Sequence, residues 1–291
     1  MKKLALIAIV ATILAGCVRN NPDPAWLEVT EWTFESNAIG VVGDEGILTH
    51  NFTDAWVFID NKFIGVFEVP FKIPVLVSGE SEIKLYPTIR NNGISATKKI
   101  YPYADPYIIS ANLVQNQTLT VNPVTRYKDN TTIRLWDFDD PGNLQIEAGQ
   151  NSNTTLIFDN DPMVMTSING SGYGHVNFTN SMNQWQATSL ELSDVPQQQA
   201  EVYLEIDYYN TVPIVTGVIA VEPSAVTGNV NVQINSQDEA EIEWKKIYLD
   251  LKTIVSGYPN AYAYRLSFDA ILPDSLQTGY INIDNMKLVH R

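Results

Sequence analysis

Short apolar runs separated by turn residues recur along this sequence, and they constrain its fold more than any other feature. From residue 133 onward the runs are five to ten residues long, contain many β-branched and aromatic residues, and are bounded by turn-forming residues. They are Thr154–Phe158, Met163–Ser167, Ala200–Ile206, Val212–Val221, Val230–Ile234, Ile242–Leu251, Tyr262–Ala270 and Tyr280–Leu288. This spacing predicts a β-sandwich or jelly-roll. Ile247–Val255 also fits an amphipathic helix, but its Ile, Tyr and Thr residues favour a strand.

The first half of the chain shows the same all-β signature. Trp56 to Ile59 is β-branched and aromatic, Asp60-Asn61 is a turn signal, and Phe63 to Phe67 reads as the returning strand. A polar, proline-marked segment from Val121 to Asn130 separates the two halves. We therefore expect two β-sandwich domains in tandem, over residues 26–123 and 131–291.

The hairpin region of the first half resembles the PEGA-type domain of bacterial surface proteins. The residues that carry the resemblance are Val57, Ile59, Gly65, Pro70, Gly79, Ile83 and Leu85. The chain departs from that pattern at Asn61-Lys62, where the family usually turns on a glycine. The resemblance covers about residues 47–90 and implies a small β-sandwich without any activity.

The two ends of the second half resemble galactose-binding-like jelly-rolls, the fold of many carbohydrate-binding modules. Trp136-Asp137-Phe138-Asp139-Asp140 opens this half, and Ile283-Asp284-Asn285-Met286-Lys287-Leu288 closes it. In such jelly-rolls the opening acid and the closing aspartate often hold a structural Ca²⁺. The resemblance thus implies a calcium site at Asp139 and Asp284, whose carboxylates are the hard ligands that Ca²⁺ prefers. Solvated loop acids are the alternative interpretation.

The N-terminus has the features of an export signal. Met1-Lys2-Lys3 is followed by an apolar run from Leu4 to Leu14, which is too short to span a bilayer. Leu14-Ala15-Gly16-Cys17 resembles the lipobox of bacterial lipoproteins, which implies cleavage after residue 16 and a lipidated Cys17. Residues 17–25 are polar and proline-bearing and read as a tether. The whole chain resembles surface lipoproteins of Bacteroidota, and we expect a lipid-anchored outer-membrane location.

Charge and cysteine content narrow the classes of partner. The net charge is −15, and loss of Lys2 and Lys3 with the signal peptide would make it −17. Such a surface repels nucleic acid and anionic headgroups. Cys17 is the single cysteine, so a lipidated chain would have no thiol left for a disulfide.

Aromatic residues among polar neighbours are the candidates for carbohydrate binding. Trp185 is flanked by Asn183, Gln184 and Gln186, and an exposed indole face can stack on a sugar ring. Tyr173, Tyr208 and Tyr209 could widen such a platform, whereas Trp136 and Trp244 read as core residues. Burial in the core is the alternative for every aromatic residue in a strand.

Catalysis has weak support in the sequence. Glu205 and Asp207 share one strand face, as the acids of some retaining glycosidases do, but the third acid of that pattern is absent. His50 and His175 read as turn or surface residues, and His290 lies at the C-terminus. No zinc-ligand spacing, nucleophile elbow or phosphate-binding loop occurs. The chain is therefore expected to be non-catalytic.

Two functions remain open at this point. The first is a surface lipoprotein whose jelly-roll binds a glycan, which predicts aromatic and polar side chains together in a groove. The second is a structural accessory subunit of an outer-membrane protein complex, which predicts a flat apolar patch. The sequence favours the first.

Overall fold

The structure is a computed structural model that describes residues 23–161, 167–168 and 171–291. Within those residues the fold is all-β apart from one short helix, and each half of the chain forms a β-sandwich. The predicted fold class is therefore confirmed. Cys17, the signal peptide and most of the run Met163–Ser167 lie outside the described residues. No helix of the described part is long and apolar enough to cross a membrane.

The first half contains two larger sheets and one two-stranded sheet. Its strands are β1 (Ala25–Val29), β2 (Thr33–Glu35), β3 (Val42–Gly43), β4 (Asp54–Ile59), β5 (Lys62–Glu68), β6 (Phe71–Val75), β7 (Gly79–Arg90), β8 (Lys98–Ile100), β9 (Tyr107–Leu113), β10 (Thr118–Val121) and β11 (Val124–Arg126). One sheet has the order β10-β1-β6, and the other has the order β5-β4-β7-β8 with β9 also paired to β7. Apolar side chains from both sheets form one shared core.

The β4–β5 hairpin shows why this sequence folds in this way. Val57 and Ile59 are buried, whereas Phe58 between them lies half-buried on the outer face, as the two-residue period of a strand requires. Asp60 and Asn61 have φ values of 49° and 63°, the positive values of a two-residue hairpin turn. The predicted hairpin is confirmed.

Four positions of the PEGA-type pattern form a buried cross-strand block. Val57 lies opposite Leu85, and Ile59 lies opposite Ile83, in the antiparallel pairing of β4 with β7. Such cross-strand pairs stabilise a sheet. The wider resemblance to that family stays a prediction.

The second half is a jelly-roll-like sandwich of a seven-stranded and a five-stranded sheet. Its elements are β12 (Thr132–Trp136), β13 (Ile146–Ala148), β14 (Ile157–Asp159), β15 (Tyr173–Thr179), β16 (Gln184–Ser189), β17 (Val202–Asn210), β18 (Ile214–Glu222), β19 (Ala225–Ile234), β20 (Lys245–Asp250), α1 (Lys252–Gly257), β21 (Ala263–Ile271) and β22 (Thr278–His290). The larger sheet has the order β14-β15-β22-β12-β3, and β17 pairs with both β22 and β20. The smaller sheet has the order β13-β16-β21-β18-β19.

The two halves share structure instead of meeting only at a linker. Strand β3 of the first half pairs in parallel with β12 of the second. The hydrophobic cluster of the first half also includes Tyr203, Tyr248 and Val289 of the seven-stranded sheet. The last ten residues of β22, from Ile281 to His290, are consequently buried on both faces. His290, expected at a free C-terminus, is only 4% exposed.

Two segments differ from their sequence-based expectation. The run Ile247–Val255 is not one strand, because β20 ends at Asp250 and α1 begins at Lys252. The helix places Val255 in the jelly-roll core, and Asp250 accepts a hydrogen bond from the Lys252 backbone at 3.0 Å. The polar segment between the halves is also more ordered than a linker, since Val124–Arg126 within it forms β11 and pairs with β2.

Candidate functional site

Trp185 does not offer its indole to a ligand, so this prediction is wrong. The side chain is 1% exposed and lies in the jelly-roll core, stacked on Phe268 with ring centroids 5.9 Å apart. Its neighbours Gln184 and Gln186 project to the other face of β16, which is the half-exposed one. The polar flanks that suggested exposure therefore belong to the opposite side of the strand.

Tyr173 is also unavailable as part of a binding platform, because the residue has no exposed surface. Its ring packs edge-on against Trp244 with centroids 6.2 Å apart. Burial raises the pKa of Tyr173 to about 12. Tyr173 therefore packs against Trp244, a residue of the candidate site described below.

Tyr208 and Tyr209 are half-buried and stay candidates for ligand binding. Tyr209 of β17 stacks on Tyr280 of the adjacent strand β22, with ring centroids 5.9 Å apart, and packs against Trp244 at 5.9 Å. Trp244 was expected to be a core residue but is half-buried, directly before β20. It belongs to the candidate site that sequence reasoning missed.

A polar depression near these rings runs along β20, the outermost strand on its side of the seven-stranded sheet. It consists of two adjoining pockets of about 470 and 560 Å³ that share Tyr208 and Lys245. We call it the interdomain cleft, because residues of the first half form one wall. Its principal side chains are His50, Arg90, Tyr208, Gln233, Gln237 and Trp244. Burial lowers the pKa of His50, whose ring stacks on Phe52 at 5.0 Å.

An ion cluster lies beneath the cleft, between the halves. Lys246 Nζ is 3.2 Å from Glu205 Oε2 and 3.3 Å from Asp207 Oδ2, and all three residues are at most 6% exposed. Burial alone would lower the pKa of Lys246, but the two carboxylates raise it above its ordinary value. Residues of the first half close the cluster, since the Thr49 hydroxyl donates to Asp207 at 2.5 Å.

Three buried tyrosines complete the surroundings of Glu205. The hydroxyl groups of Tyr101 and Tyr127 donate to its carboxylate, Tyr127 at 3.1 Å. Burial and the nearby Glu205 charge raise the pKa of Tyr101, Tyr127 and Tyr248 well above the ordinary value. Glu205 and Asp207 do share one face, as predicted, but the first half covers that face and leaves no room for a substrate.

Lys287 is a second buried cation on this face. Its ammonium donates to the Ile47 carbonyl at 2.7 Å and lies 5.8 Å from the ring centre of Tyr127. The side chain has no exposed surface, and burial together with the nearby Lys246 charge lowers its pKa to about 7. Residues 45–51 of the first half are thus tied to the seven-stranded sheet by hydrogen bonds, some of them to the charged groups of Asp207 and Lys287.

The predicted calcium residues lie in different environments. Asp139 is exposed and accepts a hydrogen bond from Ser171 at 2.7 Å, whereas Asp284 is fully buried. Burial raises the pKa of Asp284 to about 8, and its Oδ2 has no hydrogen-bond partner among the described residues. The described part of the chain contains no group of three acidic, His or Cys residues that could hold a metal. A calcium ion would therefore need backbone or water oxygens for most of its ligands, and the site stays a prediction.

Comparison with known proteins gives structural neighbours only. No family model matches the chain, and no curated protein matches it. One similar structure, of carbohydrate-binding modules from the β-sandwich superfamily, has 13% identity and a TM-score of 0.38 over 81% of this chain and 84% of that chain. The xylan-binding domain from Paenibacillus barcinonensis Xyn10C has 11% identity and a TM-score of 0.37 over 54% of this chain and 92% of its own.

Other neighbours are parts of larger proteins. The enzymatically active domain of tailspike protein 4 from bacteriophage CBA120 has 15% identity and a TM-score of 0.38 over 53% of this chain. The chain spans 20% of that protein and 26% of a Clostridium thermocellum xylanase fragment. Similarity at this level does not align individual side chains, so the site is interpreted from its own geometry.

Proposed function

We propose that this protein is a non-catalytic, lipid-anchored surface protein that binds carbohydrate in the interdomain cleft. The observation that carries the proposal is the position of Trp244 and Tyr208, two half-buried rings beside amide and guanidinium side chains. Sugar rings bind aromatic faces through their C–H groups. Amide side chains can donate to and accept from hydroxyl groups, and the Arg90 guanidinium can donate to them.

The size and charge of the cleft agree with a neutral glycan. Its larger pocket, about 560 Å³, is within the range of roughly 300–1,000 Å³ that is usual for small-ligand sites. Arg90 and Lys245 are balanced by Glu243 and Asp238 in the wall. The net charge of −15 disfavours nucleic acid.

The burial of Glu205 and Asp207 supports the proposal of a non-catalytic role. Retaining glycoside hydrolysis needs two carboxyl groups that reach the substrate. Glu205 and Asp207 are 1% and 2% exposed and hold Lys246 between them. They stabilise the contact between the halves.

A glycan panel titrated against the purified chain tests the proposal. We expect Trp244→Ala to weaken binding at least about tenfold, because the base of the stacking surface is lost. Trp56→Ala is the matched control, since Trp56 is also half-buried but lies on the outer face of β4. Equal affinity in both variants, or no binding to any glycan, would overturn the proposal.

Lipid attachment at Cys17 is the second part of the proposal, and it rests on the lipobox resemblance. Intact mass spectrometry of the membrane-extracted chain should show cleavage before Cys17 and a mass increase from acyl chains. Cys17→Ala should leave the signal peptide uncleaved by the lipoprotein pathway. An unmodified Cys17 in the mature chain would contradict this part.

One observation favours the alternative of an accessory subunit. The outer face of β4, β5 and β7 carries an aromatic cluster, with ring centroids 5.3 Å apart for Phe58–Phe63 and 5.6 Å for Phe58–Tyr86. Such a face can dock on another protein. Purification under mild detergent, followed by mass spectrometry, would decide: a membrane protein in fixed stoichiometry favours the accessory subunit over the glycan-binding protein.

A further inference from the structure

The first described strand, β1, begins at one end of the first sandwich, next to two loops. Ala25, the first residue of β1, lies opposite Val75, and the Asn116 backbone donates to the Pro24 carbonyl at 2.9 Å. In the facing sheet, Leu113 lies opposite Gly79. The loops at residues 76–78 and 114–117 therefore flank the start of β1, and we call this end of the molecule the tether pole.

The two loops of the tether pole each carry an exposed apolar side chain, and Asp23 beside them accepts a hydrogen bond from the Asn116 side chain at 3.0 Å. Leu76 is 66% exposed and Val114 is 38% exposed, although both could have been polar in surface loops. Neither loop contains a charged residue, whereas the whole chain has a net charge of −15.

The sequence fixes how far this pole can be from the proposed anchor. Cys17 and Ala25 are eight residues apart. A fully extended chain spans at most about 3.3–3.6 Å per residue, so the start of β1 stays within roughly 28 Å of the acylated residue. Among the described residues, those of the tether pole adjoin the segment that leads to the proposed anchor.

We propose that the tether pole rests on the phospholipid surface, with Leu76 and Val114 inserted at headgroup depth, so that the body lies against the membrane instead of standing away from it. This inference rests on the proposed lipid attachment at Cys17. The anchor supplies a high effective concentration of bilayer at the pole, so even a weak contact is populated.

Neighbouring residues agree with insertion to headgroup depth. Trp26 is half-buried one residue into β1, and tryptophan favours the membrane–water interface. The Lys72 ammonium lies 5.9 Å from the centre of the Trp26 ring and can reach a lipid phosphate. Glu80, the first charged residue after the 76–78 loop, limits the depth because a carboxylate stays hydrated.

The test uses the lipidated chain in phosphatidylcholine vesicles. Cys17 is the single cysteine and its thiol is consumed by acylation, so Leu76→Cys and Val114→Cys each give one labelling site for a fluorophore. Val226→Cys and Val230→Cys are the matched controls, since these valines are 69% and 76% exposed on β19 of the other sandwich. Quenching is measured with iodide in the buffer and with nitroxide attached to the lipid headgroup region.

We expect pole labels to be quenched by the lipid-attached nitroxide and shielded at least about threefold from iodide, relative to the control labels. Equal iodide quenching at all four sites, on protein that floats with the vesicles, would overturn the inference and leave the anchor intact. Shielding from iodide without nitroxide quenching would mean that a second copy covers the pole, and this also overturns the inference. Wild-type protein that does not float would refute the lipid anchor and, with it, the contact.

Discussion

The two sheets of the jelly-roll differ in what lies outside them. In the five-stranded sheet, β16 alternates buried and half-exposed residues, and Gln186 on the outer face donates to Asp269 at 2.9 Å near solvent. In the seven-stranded sheet, the outer face carries Glu205, Asp207 and Lys246, all buried. The same strand period thus serves a solvent-facing surface in one sheet and an internal interface in the other.

This difference shows that the first half covers the charged outer face of the seven-stranded sheet and supplies its hydrogen-bond partners. Charges buried without partners are strongly unfavourable, and here Thr49, Tyr101 and Tyr127 of the first half supply hydrogen bonds to the two carboxylates. Without that cover, the outer face of the larger sheet would be an ordinary polar surface. We therefore expect the halves to unfold together.

The largest expected effect comes from breaking the buried ion cluster. Lys246→Ala leaves Glu205 and Asp207 buried without their cation, and it should lower the free energy of unfolding by about 3–5 kcal/mol. Lys245→Ala is the control, because the neighbouring side chain is exposed and should change stability by less than about 0.5 kcal/mol. Urea unfolding followed by fluorescence measures the stability of both variants. Similar midpoints for Lys246→Ala and Lys245→Ala would refute the conclusion that the outer face of the seven-stranded sheet is an internal interface.

The next largest expected effect is a pH dependence of the free energy of unfolding, which arises from Lys287 on the covered face of the seven-stranded sheet. The pKa of Lys287 is about 7 in the folded protein and near 10.5 when unfolded, so the unfolded state binds more protons between these values. The cost of burying the charge is fully present below pH 7 and disappears above pH 10.5, so this lysine makes stability rise with pH across that window, by at most about 1.4 kcal/mol per pH unit.

Comparison with Lys287→Met measures this contribution. The variant has no titrating group at this position, so its unfolding free energy should rise less between pH 7 and 10.5 than that of the wild type. Lys62→Met, at an exposed position of β5, is the control and should leave the pH profile unchanged. Parallel wild-type and Lys287→Met profiles would show that Lys287 does not have the lowered pKa.

Removing one hydroxyl from the interface should have a smaller effect. Tyr101→Phe takes away a donor to Glu205 but leaves Tyr127 and Lys246 in place. A hydrogen bond to a buried charge contributes about 1–3 kcal/mol. Tyr262→Phe, at a residue 56% exposed, is the control and should be neutral in thermal and urea unfolding.

The smallest effect is expected on the solvent-facing sheet. Arg265 and Glu191 form a 2.7 Å ion pair in which both side chains are about 40% exposed. Surface pairs of this kind contribute about 0–1 kcal/mol, so Arg265→Ala should barely move the urea midpoint. A loss as large as that of Lys246→Ala would mean that the two faces do not differ in the way described.

Local patterns in the sequence predicted the strands well and the exposure of single residues poorly. The 55–67 hairpin and the closing strand follow from alternation and turn residues, because those signals act between near neighbours. Trp185 was predicted to be exposed but is buried, and Trp244 was predicted to be buried but is half-exposed. A strand period states which residues share a face, but it does not state which face is covered.

In the candidate site, too, the sequence predicted some residues and missed those that come from distant segments. Tyr208 was predicted, whereas His50 and Arg90 were not, because they reach the cleft from a different half of the chain. Pairs such as Thr49 with Asp207 are separated by 158 residues, and no local pattern connects them. The lipid anchor and the calcium site stay predictions.

The sequence by itself determined the all-β class, the positions of most strands and the shared face of Glu205 and Asp207, since each depends on the two-residue period and on turn chemistry. The tertiary structure decided that this face is internal, that Trp185 is core and that Trp244 borders a cleft. The physical reason is that burial depends on which surfaces pack together, and here the decisive contacts join residues 45–51 to strands β17, β20 and β22, far apart along the chain.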